Sequence, residues 1–211
     1  MEATLRHFRT TGTKSLGRLL NGGLGFILNN FNQELDQRNA QRKENSGQWL
    51  RPEEAAVAEA LAKIIVPSDE ESPGIDEVCF LGPRAISSLD KMIRECTNRQ
   101  HLYSRGLLSF DIWALREHGC KFVELSTEQQ TNLFRGAQEI NDSWKVKPAL
   151  TTRLWRRFAA IRRGAYYAGL LYPRIREDSL QIFYTSRVSW VWLGYDGPPM
   201  ERGYSNLTQP R

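Results

Sequence analysis

Side chains able to do chemistry are few in this sequence, and their spacing works against most of the reactions they could perform. His118 and Cys120 could supply a base and a nucleophile, but two residues apart at the end of an expected helix they point in different directions. Asp69, Glu70 and Glu71 could act as acid–base carboxylates or calcium ligands. The stretch Ser68-Asp69-Glu70-Glu71-Ser72-Pro73-Gly74 lacks the alternating ligands and closing glutamate of an EF-hand loop, however, and reads as a solvated polar turn. His7, His101 and His118 are far apart, and none has a second ligand type at useful spacing. Gly22, Gly23 and Gly25 lack the GxGxxG spacing and the preceding strand that would cradle a dinucleotide. Phosphate-binding loop, HExxH and GxSxG are missing, and so is CxxCH, which excludes covalently attached c-type haem. Cys79, Cys96 and Cys120 form no CxxC pair and read as small buried hydrophobes. The expectation is a chain with no catalytic, cofactor or metal site of its own.

One basic feature stands out. Arg153, Arg156, Arg157, Arg162 and Arg163 fall on an expected helix from Leu150 to Leu171 whose other side carries Leu154, Phe158, Ile161 and Ala165, and no acidic residue occurs between Trp144 and Tyr167. Guanidinium forks suit carboxylates, which favours a partner-facing surface. The alternative is a helical nucleic-acid-binding protein using the 153–163 helix, with Trp155, Tyr166 and Tyr167 as base stackers.

The elements that would position these residues are helical. With 211 residues, 40% apolar and 25% charged, the chain has ordinary globular composition and room for one core without disulfides. A formal charge of +5 permits nucleic acid, an anionic surface or an acidic partner without choosing among them. No run approaches the roughly 20 apolar residues of a membrane-spanning helix. Residues 1–48 read as a basic arm and polar linker, 49–199 as the helical domain and 200–211 as a tail. Arg6, Arg9, Lys14 and Arg18 before Leu19 to Leu28 outline a leader, but Asn21 and the glycines interrupt it and no small-x-small cleavage site follows.

Within the domain, Pro52, Glu53 and Glu54 open a helix with Val57, Ala60, Leu61, Ile64 and Ile65 on one face, stopped by Pro67. A second begins at Ile75, breaks near Gly82-Pro83 and resumes through Ile86, Leu89, Met92, Ile93 and Cys96. A third spans His101 to His118 and ends at Gly119. Ser126-Thr127-Glu128-Gln129 is a capping box for a fourth, carrying Leu133, Phe134, Ala137 and Ile140. The fold expected is mainly α, a compact bundle of short helices with an aromatic, Gly/Pro-containing C-terminal segment and extended termini.

That C-terminal segment carries the most specific signal. Phe183-Tyr184-Thr185-Ser186-Arg187-Val188-Ser189-Trp190, followed by Leu193-Gly194-Tyr195-Asp196-Gly197-Pro198, resembles the ending of the gluconate 2-dehydrogenase subunit 3 family. The helix from Leu50 to Val66 running into Ser72-Pro73-Gly74, and Phe122-x-x-Leu125-Ser126-x-x-x-Gln130, agree with it. Ser189 stands where that ending would have glycine, and Arg6-His7-Phe8-Arg9 is not the twin-arginine pair of an export signal. The resemblance implies a non-catalytic small subunit of a heteromeric, periplasmic or membrane-associated complex. Such a subunit binds, stabilises and assists the maturation or export of a glucose-methanol-choline (GMC) type flavoprotein that holds FAD and oxidises a sugar or polyol, with a cytochrome c subunit carrying haem c as electron acceptor. Aromatics give large contact area at small entropic cost. Phe183, Tyr184, Trp190, Trp192 and Tyr195 are therefore the expected partner contacts, with Thr185 and Ser186 in the same strip, Gly194, Gly197 and Pro198 as backbone supports, and Arg153, Arg156 and Arg157 as a second contact region. The same aromatics could instead form this domain's own core.

Overall fold

A computed structural model of the chain describes residues 29–40, 48–80, 84–145, 160–161 and 164–194. Most of the described residues are helical, with no strand among them. The expected helical bundle is what the chain forms. A helix over residues 29–40 (α1) comes first. α2, Pro52–Ile65, has proline in its first turn beside Glu53 and Glu54 and buries Val57, Ala58, Leu61 and Ala62. The Ile75 amide then donates to the Val66 carbonyl at 3.1 Å, closing the polar turn between them. A 3₁₀ turn, Ile75–Phe80, leads towards α3, Ala85–Arg94, whose Asp90 accepts from the amides of Trp49 and Leu50 at 2.8 and 2.7 Å and fixes where the chain enters the bundle.

α4, Thr97–His118, is the central helix, and it ends where Gly119 adopts φ 78°, a conformation glycine takes without the Cβ clash of other residues. It starts four residues before His101, and Cys96 belongs to its N-terminus rather than to α3. The capping box forms as expected: the Ser126 amide donates to Gln129 Oε1 at 3.0 Å and the Gln129 amide to Ser126 Oγ at 3.3 Å, opening α5, Thr127–Lys145.

The expected single helix from Leu150 to Leu171 is not what the chain makes. Gly164 at φ 77° ends a helical turn: its amide reaches the Ile161 carbonyl at 3.0 Å and the Ala165 amide reaches the Ala160 carbonyl at 2.9 Å, a Schellman arrangement. A new helix, α6, Tyr166–Tyr184, follows and contains Pro173 in its interior. Proline there forfeits one backbone bond and costs about 3 kcal/mol. The helix persists because Leu171, Tyr172, Ile175, Ile182 and Phe183 are all buried in the main core. After Thr185 a short α7, Arg187–Trp192, turns back.

α6 packs against both α4 and α5, and glycines set how closely. A Cβ at Gly106 would lie 2.5 Å from Leu171 Cβ, and one at Gly169 would lie 2.5 Å from Ile140 Cγ2. Gly106→Ala is expected to destabilise the fold by about 1–3 kcal/mol, because the opposing atom is a Cβ that cannot rotate away. Urea unfolding of the variant beside wild type measures it.

Candidate partner interface

The end of α6, α7 and the turn before the 3₁₀ segment form one corner of the molecule. Ser186 begins α7, its hydroxyl accepting from the Ser189 amide at 3.3 Å. Ser189, fully buried, donates its own hydroxyl towards the Phe183 carbonyl at 2.7 Å. The serine that departs from the expected glycine thus fastens α7 to the last turn of α6. Thr185 Oγ1 donates to the Gln181 carbonyl at 2.7 Å. Trp190 Nε1 donates to the Tyr184 carbonyl at 2.8 Å, and Trp192 Nε1 crosses to the Glu71 carbonyl at 2.9 Å. Gly194, at φ 65°, follows α7.

Phe183 follows the alternative reading of the aromatics, as part of this domain's own core. It lies 3% exposed in the core, its ring 5.3 Å from Tyr184 and 6.3 Å from Trp192, because α6 runs through Pro173 and carries it inward. Trp190 is half-buried. Tyr184 and Trp192 remain outward, at 51% and 45% exposure, and they are joined by Val191 at 69% and Leu193 at 55%. The other large exposed hydrophobics among the described residues are Leu115 and Val123, so four of six lie within ten residues of chain. Val191 and Leu193 were not among the expected contacts. Tyr195, Gly197, Pro198, Arg153, Arg156 and Arg157 lie outside the described residues.

A family profile described as Gluconate 2-dehydrogenase subunit 3 matches residues 52–197. The chain belongs to the gluconate 2-dehydrogenase subunit 3 family. The matched stretch opens on Pro52 in the first turn of α2 and runs past α7, so the corner built by Phe183, Ser186, Ser189 and Trp190 falls inside the family's shared sequence. Membership associates the chain with dehydrogenase complexes as an accessory subunit. No curated protein and no solved structure matches it. No described helix is long and apolar enough to cross a membrane.

Three of the other chemical candidates, Asp69, Tyr166 and Tyr167, have structural partners. The Asp69 carboxylate accepts from the Ser72 hydroxyl and from the amides of Ser72 and Glu71, at 2.9, 2.7 and 2.9 Å, and these bonds hold it below its ordinary ionisation range. It shapes a turn, and no cluster of metal-ligating side chains occurs among the described residues. Tyr167, offered as a base stacker in the nucleic-acid alternative, instead stacks on Phe31 at 5.1 Å with Arg105 over its ring, and Tyr166 packs against Trp144 at 5.3 Å.

Beside that stack lies a cavity of about 580 Å³ between α1 and α4, with Asp111 and Arg38 among its lining residues. Asp111 is 5% exposed, and Arg38 Nη2 approaches its Oδ2 at 3.5 Å. Burial pushes the carboxyl above its ordinary value of 3.8, and Arg38 offsets that only in part. With the folded-state value raised, the stability tied to the neutral form is fully present below 3.8 and is lost as pH rises through the raised value. Asp111→Asn, which cannot ionise, is expected to match or exceed the wild-type melting temperature at about pH 7. The two should converge near pH 4. Thermal melts across that range read the difference.

Proposed function

We propose that this chain is the non-catalytic small subunit of a flavin-dependent sugar or polyol dehydrogenase, and that it grips a GMC-type flavoprotein large subunit through the surface formed by Tyr184, Val191, Trp192 and Leu193. The observation that supports this is the concentration of exposed apolar side chains at one corner of a family member whose other large apolar residues, among those described, are mostly buried or half-buried. Contiguous exposed apolar surface on a folded chain marks an interaction site, and tryptophan and tyrosine are the commonest anchors of protein interfaces. A chain that binds only the folded, flavin-loaded large subunit stabilises that state by mass action, which is how a small subunit without chemistry of its own would assist maturation. FAD belongs to the large subunit in this scheme, and electrons pass to a cytochrome c subunit. The assembled complex works in the periplasm or at a membrane surface, exported by a signal borne on one of its chains.

Expressing the large subunit with and without this chain tests the proposal. Co-expression is expected to give a stoichiometric complex whose flavin content and thermal stability exceed those of the large subunit alone. Equal flavin loading and stability in the two preparations would overturn it.

A further inference from the structure

Building on the accessory-subunit reading, we infer that the docking corner has an acidic rim, and that the flavoprotein face it fits is an apolar socket edged by arginine and lysine. The chain as a whole is basic, at +5. From residue 64 to residue 83 that sign reverses, with Asp69, Glu70, Glu71, Asp76 and Glu77 present and no lysine or arginine. All five are exposed. The position of this stretch gives the reversal its meaning. Trp192, one of the exposed apolar anchors, donates its indole N–H to the Glu71 main-chain carbonyl, and α7 packs on the 3₁₀ turn that contains Asp76 and Glu77. The acidic turn and the apolar patch are therefore one continuous surface.

The turn is also held in shape. Asp69 spends its carboxylate on Ser72 and on the Glu71 amide, and Glu77 Oε1 accepts from the Gly74 amide at 3.1 Å. Gly74 has no room for a side chain, since a Cβ there would lie 2.7 Å from the Ser68 backbone nitrogen. Glu70 and Glu71 are thus displayed from a fixed loop beside Trp192. An apolar centre with a charged rim is the usual arrangement of a protein interface, in which the rim steers encounter and fixes register. Carboxylates at the rim repel phosphates, so nucleic acid and anionic lipid headgroups are poor occupants of this corner, and a protein face carrying guanidinium or ammonium groups is the complementary one.

The test uses the complex of this chain with its flavoprotein large subunit, followed by stopped-flow or surface-capture association kinetics. The wild-type association rate is expected to fall steeply as ionic strength rises. Glu70→Lys with Glu71→Lys is expected to lower that rate about 10- to 100-fold at low salt and to flatten its salt dependence. The contact with Trp192 uses the Glu71 backbone, so the fold is retained, which circular dichroism checks. Glu128→Lys with Glu139→Lys makes the same charge change on exposed positions of α5 and should leave the rate near wild type. A wild-type rate insensitive to salt, or a Glu70/Glu71 variant that associates like wild type, overturns the acidic-rim inference while leaving the accessory-subunit reading intact. Failure of the wild-type chain to form any complex overturns both.

Discussion

Replacing Asp178 by alanine is expected to cost about 3–5 kcal/mol of folding stability, the range typical when one partner is removed from a buried, charged network. Asp178 is completely buried on α6. Its Oδ2 accepts from the Tyr103 hydroxyl at 2.9 Å and its Oδ1 from Arg99 Nη2 at 3.1 Å, with Arg174 Nη1 at 3.8 Å. Both Tyr103 and Arg99 come from α4, so this one carboxylate fastens the two central helices together. Alanine leaves the Arg99 guanidinium, three-quarters buried, without its counter-charge, and leaves the fully buried Tyr103 hydroxyl with no acceptor. Tyr103→Phe removes a single neutral donor and is expected to cost only about 1–2 kcal/mol. The double variant should cost less than the sum, because the tyrosine's share of the network is already lost in either single change. Urea titrations of the three variants give the cycle. An Asp178→Ala change within about 0.5 kcal/mol of wild type would show that the carboxylate's desolvation cancels its bonds.

The same network governs alkaline behaviour. Burial, then the Asp178 charge and hydrogen bond, push the Tyr103 hydroxyl far above its ordinary value of 10. A raised folded-state value contributes stability that is fully present below the unfolded value, so Tyr103 supports the fold across neutral pH and begins to oppose it only in strong alkali. The neutral hydroxyl is the form that can donate to Asp178.

What the sequence made legible was local. Pro52 with Glu53 and Glu54, Gly119 after His118, and Ser126 with Gln129 each act within one turn of backbone, and each marks the element end expected of it. Gly164 and Pro173 defeated the same reasoning from opposite sides. Gly164 sat inside an apparently continuous apolar period yet ends a helical turn, and the helix expected to end at Leu171 runs on through Pro173, because burial of Leu171, Tyr172 and Ile175 outweighs one lost bond. Asp178 gave no signal, since its importance depends on Tyr103, 75 residues earlier in the chain. The order of residues from Phe183 to Pro198 pointed to the family, but the aromatic run could not say which rings face inward. Period 3.6 over so short a helix as α7 leaves that choice to its packing on α6 and on the turn at Glu71.

A pair of substitutions on α7 separates what the corner does for this chain from what it does for a partner. Val191 is the most exposed of the patch, so Val191→Asp should change monomer stability by no more than about 0.5 kcal/mol, as surface substitutions usually do. In the complex the new carboxylate would be desolvated at the centre of an apolar contact, and the expected loss of affinity is about 2–4 kcal/mol, some 30- to 1,000-fold in Kd. Trp192→Ala should weaken the complex by a similar amount, since a tryptophan anchor is removed. It differs in also costing the free chain about 1 kcal/mol, through the lost bond to Glu71 and the lost contact with Phe183. Titration calorimetry of the complex and urea unfolding of the free chain read the two effects separately. Should both variants bind as wild type does, the exposed residues of α7 cannot be the grip, and the contact with the large subunit must lie elsewhere on the chain.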